Sequence, residues 1–386
     1  MKSIYLDNAA TTQLAPEVAE AMIPVLRDVF GNPSSTHAIG RKAKALIEIS
    51  RRDIAHLLGC APRSVTFTSG GTEADNLALR AAVKDLGCKR IVTSEAEHIA
   101  VIASSEKMSK LFNIEVVYVK HHSDGTVDIN DLRNILASGP KTIVSLMHAN
   151  NEVGVIQPLD EIAKACKETN AYFHSDTVQT MAHYPFQLDA LEIDFLTCSA
   201  HKFHGPKGTG FLYTHPRNKI KSQIVGGGQE RGLRSGTENL HGIVGLAKAL
   251  QLAYAELDDH SIHVRSIKKY MVEGLKSRIS GVSFNADSDK EDRLYTVLSV
   301  KFPPHPNSGM ALFLLDLEGI SCSGGSACSS GATTGSHVLK ALGYHDPTKA
   351  SLRFSFSRYT TFEDIDMALE AISRVFAPIE SSATVS

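Results

Sequence analysis

The feature that most constrains the fold is a regular alternation of short apolar runs and helical patterns over roughly the first two thirds of the chain. Seven short runs rich in β-branched and aromatic residues predict buried strands: Val65–Thr68, Ile91–Thr93, Ile114–Lys120, Thr142–Met147, Ala171–His174, Phe195–Cys198 and Gly210–Thr214. Four amphipathic helices accompany them: Gly40–Leu58, Glu73–Leu86, Asp128–Ala137 and Leu159–Glu168. This alternation predicts an α/β domain whose mostly parallel sheet is covered on both faces.

The pattern changes after about residue 260 and becomes typical of a smaller α+β domain. The predicted elements there are helices at Ser261–Ile279, Ser308–Leu317 and Phe362–Phe376, strands at Tyr295–Phe302 and Leu352–Ser357, and a Gly/Ser-rich loop and helix at Ser321–Leu342. A length of 386 residues fits two domains. We expect a large domain over 15–260 and a small domain formed by 1–14 together with 261–386.

Composition and charge exclude several classes of protein. Lys and Arg number 40 against 42 Asp and Glu, so there is no basic excess that would favour nucleic acid. Apolar stretches such as Ala311–Leu315 are far too short to span a membrane, and the N-terminus carries Asp7 early instead of an apolar signal region. The six cysteines are dispersed without a Cys-x-x-Cys pair, which is typical of a reducing compartment. We expect a soluble cytoplasmic protein that binds neither membrane nor nucleic acid.

Three groups of polar residues follow predicted strands and point to a cofactor. Ser69–Thr72 carries two glycines between a strand and a helix, an arrangement that suits a phosphate but is also common in purely structural turns. Asp176 and Lys202 follow two other strands, where a carboxylate could hold a protonated ring nitrogen and a lysine could form a Schiff base. Lys202 taken alone is more simply a solvated loop lysine, but the phosphate cradle reverses that preference.

Two further observations concern histidines. His98 follows the strand Ile91–Thr93 at the same sheet edge, where its ring could stack on a planar cofactor or simply lie at the surface. His201 and His204 stand three residues apart, which could suggest a metal, but no carboxylate or thiol has a matching spacing. We therefore predict no metal site.

Taken together, six motifs closely resemble those of cysteine desulfurases of the NifS/IscS type. They are Tyr5–Thr12, Gly31–Ser35, Thr68–Glu73, His148–Gly154, Arg231–Thr237 and Gly325–Cys328, and they cover nearly the whole chain in order. The resemblance implies a fold-type I pyridoxal-phosphate enzyme of the class V aminotransferase branch. It also implies a homodimer with two active sites.

The resemblance implies a role for each matching residue. Lys202 would form the Schiff base with pyridoxal phosphate and move the Cα proton of the substrate. Asp176 would pair with the ring nitrogen. His98 would stack on the ring and act as a catalytic residue that shuttles protons. The phosphate would be held by Gly71, Thr72, Ser199 and His201, joined by Thr237 of the neighbouring subunit. The phenolic oxygen would be contacted by Gln179 and approached by Asn151, and the substrate would be bound by Arg353, Asn8 and Asn151.

Cys328 separates the implied reaction from those of related enzymes. Eleven of the fifteen residues from Ser321 to Gly335 are Gly, Ser or Thr, which predicts a mobile surface loop. An exposed thiol on such a loop suits a nucleophile that collects sulfur and delivers it elsewhere, whereas a buried apolar role fits this polar loop poorly. Cys322 is the less certain cysteine, because the family motif places the nucleophile at Cys328.

Three functional hypotheses follow. The first is a cysteine desulfurase that converts L-cysteine to L-alanine and leaves sulfur as a persulfide on Cys328, for delivery to an acceptor such as an iron–sulfur scaffold protein. The second is another class V enzyme, an aminotransferase or a selenocysteine lyase. The third is an inactive homologue that serves as a structural partner. We favour the first, because Lys202, Asp176 and Cys328 are all present and an aminotransferase has no use for the thiol.

Overall fold

The computed structural model describes residues 3–324 and 335–377. The chain divides into two compact units. The small unit contains Met1–Ala10, Glu152–Gly154 and Ser261–Ser386, and the large unit contains Thr11–Asn151 and Val155–His260. These boundaries differ in two places from the division expected from the sequence. Thr12 belongs to the large unit, where its backbone N–H donates to the carbonyl of His201 at 2.8 Å. Gly154 belongs to the small unit, where its carbonyl accepts from the N–H of Leu294 at 2.7 Å.

The described residues form twelve strands and eleven α-helices. The strands are β1 (Ile4–Tyr5), β2 (Val65–Thr68), β3 (Arg90–Thr93), β4 (Glu115–Tyr118), β5 (Thr142–Ser145), β6 (Tyr172–Asp176), β7 (Phe195–Ser199), β8 (Gly210–Thr214), β9 (Ser283–Phe284), β10 (Val297–Lys301), β11 (Ile320–Ser321) and β12 (Ser351–Ser355). The helices are α1 (Pro16–Asp28), α2 (Ala38–Leu57), α3 (Gly71–Lys84), α4 (Ile99–Phe112), α5 (Ile129–Leu136), α6 (Leu159–Glu168), α7 (Leu240–Ala255), α8 (Leu257–Arg278), α9 (Ala311–Leu317), α10 (His337–Ala341) and α11 (Phe362–Val375).

The large unit is built on one seven-stranded sheet in the order β2-β8-β7-β6-β5-β3-β4. Strand β8 runs antiparallel to both β2 and β7, and every other neighbouring pair is parallel. Six strands therefore share one direction, and their carboxyl ends meet at a single edge of the sheet. This confirms the predicted α/β fold with a mostly parallel sheet.

Burial explains why the short apolar runs form this sheet. Every residue of β2, β5, β7 and β8 is buried, as expected for strands covered by helices on both faces. A glycine begins β8 because a Cβ at Gly210 would lie 2.3 Å from the carbonyl oxygen of Cys198 and 2.9 Å from the Cα of Gly70. The close approach of β8 to the turn after β2 thus depends on the absence of a side chain.

The sequence patterns missed three helices of the large unit, α1, α4 and α7. Helix α1 begins with Pro16 in its first turn, which is favourable, but it also contains Pro24, which usually interrupts a helix. Helix α7 is apolar on most faces and contains two glycines, so it lacks the clear amphipathic period that marks a surface helix. Among the described residues, no helix combines the length and the apolar character that crossing a membrane requires.

The small unit contains an antiparallel sheet in the order β12-β10-β9 and a short parallel pair, β1 with β11. Helices α8 and α11 pack closely in this unit, since a Cβ at Gly274 would lie 2.3 Å from the side chain of Leu369. Two isolated bridges join Asp7 to Ser355 and Ser323 to Arg353. They bring the N-terminal segment, β12 and the residues after β11 together.

Candidate functional site

The turn from β2 to α3 has the geometry of an anion cradle. Gly70 lies at φ 151°, a conformation that side chains disfavour, and its carbonyl accepts from the Thr68 hydroxyl at 3.0 Å. A Cβ at Gly71 would lie 2.9 Å from the side chain of Val178. Helix α3 begins at Gly71, so the helix N-terminus and its N–H groups face this turn, with Thr72 exposed beside them. Gly70 therefore permits the backbone conformation of the turn, and Gly71 lets the start of α3 pack closely against Val178.

Three predicted site residues lie at the end of β7: Ser199 is its last residue, and His201 and Lys202 come directly after it. Ser199 ends the strand and is buried, and its Oγ would lie 3.6 Å from a Cβ at Gly70, so it borders the cradle. His201 and Lys202 lie in a single 3₁₀ turn, Ala200–Lys202. The turn is held by Thr12, whose N–H and hydroxyl both donate to the carbonyl of His201, at 2.8 and 2.9 Å.

His201 is a neutral hydrogen-bonding group in this setting. Its Nδ1 lies 3.1 Å from the Thr11 hydroxyl. Burial, with smaller contributions from the charges of Lys202 and Lys207, lowers the pKa of His201 to about 4. This imidazole therefore supplies no positive charge near pH 7.

Asp176 lies at the end of β6 as a buried carboxylate. Its Oδ1 accepts from the N–H of Val178 at 2.8 Å, and its carbonyl accepts from the N–H of His148 at 2.9 Å. Ligand atoms of Asp176, Asp75 and His98 all lie within 4.8 Å of one another. Such a group could hold a metal by its geometry alone, but it equally suits a protonated heterocycle. The structure thus brings Asp176 and His98 together, as predicted, and adds Asp75.

Both carboxylates are short of positive charge. Burial, together with the neighbouring Asp75, raises the pKa of Asp176. Burial also raises the pKa of Asp75 to about 7, against a smaller opposing effect of its hydrogen bond with Thr197. Within the described part of the chain, neither carboxylate pairs with a lysine or an arginine. A ligand that brings a cation to this point would be strongly favoured.

Behind the carboxylates lies a chain of buried polar groups. His174 is fully buried, with its Nδ1 2.8 Å from the Ser145 hydroxyl and its Nε2 3.1 Å from the Thr197 hydroxyl and 3.5 Å from Asp75 Oδ1. Burial lowers the pKa of His174 to about 4, so the ring is neutral near pH 7. This chain orients Asp75 without supplying a charge.

Gln179 and Asn151 complete the predicted set at this edge. Gln179 is buried and follows Asp176 within a turn in which the N–H groups of Thr180 and Met181 donate to the carbonyl of Thr177. Asn151 follows β5 and is half-buried, next to Asn150, whose amide donates to the carbonyl of Ala96 at 2.8 Å. Gln179 therefore follows β6 and Asn151 follows β5, and these two parallel strands end at the same edge of the sheet.

Thr237 is exposed at the end of a loop that is firmly anchored. Glu230 pairs with Arg51 through two bonds of 2.7 and 2.8 Å, and it also accepts from the N–H of Phe67 at 2.9 Å. Glu230 and Arg231 both have positive φ, at 46° and 57°. This strain is held in place by the buried ion pair.

In the small unit, Arg353 lies on β12 and is 2% exposed. Its Nη2 lies 2.8 Å from Asp7 Oδ1, and the same oxygen accepts from the Ser323 hydroxyl at 2.7 Å. Asn8, also buried, donates to the carbonyl of Ser355 at 2.9 Å. The predicted substrate-binding residues of this unit are thus close together, and Asp7 is a partner that sequence reasoning did not find.

The predicted nucleophile, Cys328, lies outside the described residues. Cys322 is described and is a poor nucleophile, because burial, with the nearby charge of Asp7, raises the pKa of its thiol to about 12. All five described cysteines are free. The assignment of the nucleophile to Cys328 therefore stays a prediction. The raised pKa of the Cys322 thiol supports it, because a protonated thiol is a poor nucleophile.

Sequence reasoning missed Asp75, Asp7 and the ion pairs that anchor the loop before Thr237. Asp75 lies on the buried face of α3, three residues after Thr72. An acid at a buried helical position is uncommon without a partner, so this position within the predicted helix was the available signal. The partners themselves are far apart in sequence and carry no local pattern.

The described residues fit a planar, phosphorylated ring with a protonated nitrogen. The turn at Gly70–Thr72 presents the N-terminus of α3, where an anion such as a phosphate is favoured. The buried carboxylates have no lysine or arginine partner in the described chain and so match a ring cation, and Lys202 follows the neighbouring strand. This set of residues fits pyridoxal phosphate, the cofactor that the sequence predicts.

Comparisons with known proteins agree with this fit. The family model described as aminotransferase class-V matches residues 4–368. A protein named cysteine desulfurase IscS from Dictyoglomus turgidum is 41% identical over 388 residues, covering 100% of this chain and 96% of that protein. Among solved structures, a NifS-like protein superposes with a TM-score of 0.88 at 36% identity, covering 97% and 99% of the two chains. A structure described as SspA in complex with cysteine gives 0.79 at 31% identity, covering 93% and 100%.

Proposed function

The chain belongs to the class-V aminotransferase family, and from that premise we propose that it is a pyridoxal-phosphate-dependent cysteine desulfurase. The reaction takes L-cysteine and an enzyme thiol to L-alanine and an enzyme persulfide, so the sulfur atom of the substrate moves to the protein. The observation that carries the proposal is full-length similarity to proteins named cysteine desulfurase. The lysine, carboxylates and cradle at one sheet edge support it.

We assign the cofactor to the carboxyl edge of the large sheet. Gly71, Thr72, Ser199 and His201 would hold the phosphate, Asp176 would face the ring nitrogen, His98 would stack on the ring, and Gln179 and Asn151 would lie near its phenolic oxygen. When bound, the cofactor withdraws electrons from the substrate Cα, which makes the bond to sulfur easier to break.

Lys202 has two roles in this assignment. It is the attachment point of the cofactor, and it moves the proton at the substrate Cα. Its place in a short turn held by Thr12 keeps its backbone fixed while the side chain moves. Because Asp176 is buried without a lysine or arginine partner in the described chain, the ring nitrogen is the cation that it would stabilise.

Arg353 would bind the substrate carboxylate as a charge-assisted pair, with Asn8 and Asn151 as further contacts. Cys328 would attack the substrate sulfur, take it as a persulfide and release the remainder as alanine. The pKa of the Cys322 thiol is raised to about 12, mainly by burial, which supports the assignment of this role to Cys328.

The proposal extends to assembly and partners. We propose a homodimer in which Thr237 contacts the phosphate in the neighbouring subunit, since Thr237 is exposed at the end of an anchored loop. A sulfur acceptor, such as an iron–sulfur scaffold protein, would take the persulfide sulfur. A cytoplasmic location agrees with the free cysteines. Sedimentation of the purified holoenzyme tests the assembly, and an active monomer would contradict it.

The reaction is tested with purified protein, pyridoxal phosphate and L-cysteine. We expect stoichiometric alanine and trapped persulfide, with sulfide released when a thiol reductant is present. The same assay with L-selenocysteine and with an amino-group acceptor separates the selenocysteine lyase and aminotransferase hypotheses. Transamination without sulfur release would refute the proposal.

A further inference from the structure

The phosphate cradle carries a negative charge of its own. Glu73 is the third residue of α3, and its Oε2 accepts from the N–H of Ser69 at 2.9 Å. Ser69 directly precedes the two glycines of the cradle. A carboxylate in the first turn of a helix is favourable in isolation. At a site that must accept a phosphate, however, the same charge opposes binding.

The charge of Glu73 is matched by one arginine from a distant part of the sequence. Arg234 Nε lies 2.9 Å from Glu73 Oε1, and Arg234 Nη2 lies 3.3 Å from Oε2, so the pair is two-pronged. The side chain of Glu73 is only 17% exposed and that of Arg234 is 25% exposed. Burial by itself would raise the pKa of Glu73, but the bonds from Arg234 and Ser69 outweigh it and lower the pKa. The bonds from Arg234 and Ser69 therefore stabilise the ionised form of this carboxylate.

We propose that Arg234 is a positioning residue for the cofactor phosphate, because it neutralises Glu73 at the cradle and thereby allows a dianion to bind there. The proposal rests on the proposed function, since the dianion is the phosphate of pyridoxal phosphate. It adds a specificity element: the ion pair favours the phosphorylated cofactor over pyridoxal itself.

Arg231 provides a matched control within the same loop. Its Nη2 pairs with Glu48 at 3.1 Å, and its Nη1 donates to the carbonyl of Pro62 at 3.3 Å. Glu48 lies on α2 and not at the cradle. Arg231 and Arg234 thus both anchor the loop by pairing with a glutamate, but only Arg234 neutralises a charge beside the phosphate.

The experiment is equilibrium dialysis of the full-length enzyme against graded pyridoxal phosphate and, separately, pyridoxal. For Arg234→Gln we expect about 10- to 100-fold weaker binding of pyridoxal phosphate, from one uncompensated charge at short range. Pyridoxal binding should stay unchanged. Arg231→Gln should bind both compounds like the wild type.

The charge argument is sharpened by removing the glutamate. Glu73→Gln should bind pyridoxal phosphate at least as tightly as the wild type, because glutamine still accepts from Ser69 but carries no charge. The double variant Glu73→Gln/Arg234→Gln should return to near wild-type affinity. Arg234→Lys keeps the positive charge but loses the two-pronged contact of the guanidinium with Glu73. This variant should recover most of the pyridoxal phosphate affinity that Arg234→Gln loses. The lysine and glutamine variants keep the test informative even if Arg234→Gln folds poorly.

Three results would overturn the inference. If Glu73→Gln weakens pyridoxal phosphate binding as much as Arg234→Gln and the double variant is no better, the pair only anchors the loop. If pyridoxal and pyridoxal phosphate weaken by the same factor, the effect is not on the phosphate. If Arg234→Gln binds normally while the wild type binds the cofactor and converts cysteine, this inference fails and the proposed function stands. A wild type that binds no pyridoxal phosphate would refute the proposed function itself.

Discussion

The cofactor edge of the large unit and the arginine site of the small unit differ in whether the protein supplies a counter-charge to a buried charged group. At the cofactor edge, Asp176 and Asp75 are buried without a lysine or arginine partner in the described chain, and the pKa of each is raised. In the small unit, the buried cation Arg353 is already paired with Asp7 at 2.8 Å. The first site lacks a charge that a ligand must bring, whereas the second is compensated by the protein.

This difference indicates which site depends on its ligand. A buried carboxylate without a counter-charge is destabilised until it is protonated or meets a cation. A buried arginine with a carboxylate partner and a third group, Ser323, holds its geometry before any ligand binds. We therefore expect cofactor removal to loosen the large unit, while the arginine site should be preformed.

The largest effect is expected from Lys202→Ala, which removes the group that reacts at the cofactor edge. Loss of the attachment point and of the base at Cα should lower alanine formation by about 10⁴-fold or more. Borohydride reduction of the wild-type holoenzyme and peptide mapping should place the pyridoxyl group on Lys202. A label on any other lysine would contradict the assignment.

The next effect separates cofactor chemistry from sulfur transfer. Cys328→Ala should still bind pyridoxal phosphate and still change its absorbance with L-cysteine, because Lys202, Asp176 and Arg353 are intact. It should release almost no alanine, since no thiol remains within the approximately 3–3.5 Å that attack requires. Cys322→Ala is the matched control and should keep most activity, because the raised pKa keeps that thiol protonated. The reverse result would show that Cys322 is the nucleophile.

The third effect tests the preformed arginine site. Asp7→Asn leaves the buried guanidinium of Arg353 without its counter-charge and should lower the free energy of unfolding by about 2–3 kcal/mol. Glu318→Gln is the matched control, because Glu318 pairs with Arg374 at 2.7 Å but the two side chains are 31% and 57% exposed. That substitution should cost less than about 1 kcal/mol. Denaturant unfolding measures both, and equal losses would show that Asp7 does not compensate Arg353.

The fold of the large unit could be predicted because its strands are short, apolar and separated by helices of clear period. Val65–Thr68, Gly210–Thr214 and Leu159–Glu168 were predicted with the bounds that the structure has. The antiparallel direction of β8 could not be predicted, because a strand buried on both faces has the same continuous apolar pattern whether it runs parallel or antiparallel to its neighbours. The grouping of the site residues at one edge could be predicted, because residues that follow parallel strands meet at the same edge of the sheet.

The remaining parts of the site depend on contacts between distant residues. Arg234 and Glu73 are 161 positions apart, and Asp7 and Arg353 are 346 apart, so no local pattern joins them. The burial of Asp75 depends on the packing of α3 against the sheet, which periodicity alone does not resolve at a polar position. Sequence reasoning therefore found the groups that follow strands and missed the charges that compensate or oppose them.

A fourth effect, seen only as a dependence on pH, tests the buried carboxylates of the cofactor edge. A carboxyl whose pKa is raised on folding stabilises the folded state below its unfolded pKa, and that stability is lost as pH rises through the folded pKa. For Asp75 this window runs from the ordinary carboxyl pKa of 3.8 to a pKa of about 7. Asp75→Asn cannot ionise, so the difference in unfolding free energy between variant and wild type should move in favour of the variant across this window, by up to about 3–4 kcal/mol.

The measurement is denaturant unfolding of the cofactor-free proteins from pH 4 to pH 7. The lowered pKa values of His148 and His201 give stability that rises with pH in both proteins, so their contributions cancel in the difference. His174 lies 3.5 Å from Asp75, so the difference also includes the response of His174 to the lost carboxylate. With pyridoxal phosphate bound, the ring cation should compensate Asp176 and reduce the pH dependence of the difference. Parallel curves for variant and wild type without cofactor would show that these carboxylates are compensated within the protein, and the contrast between the two sites would then disappear.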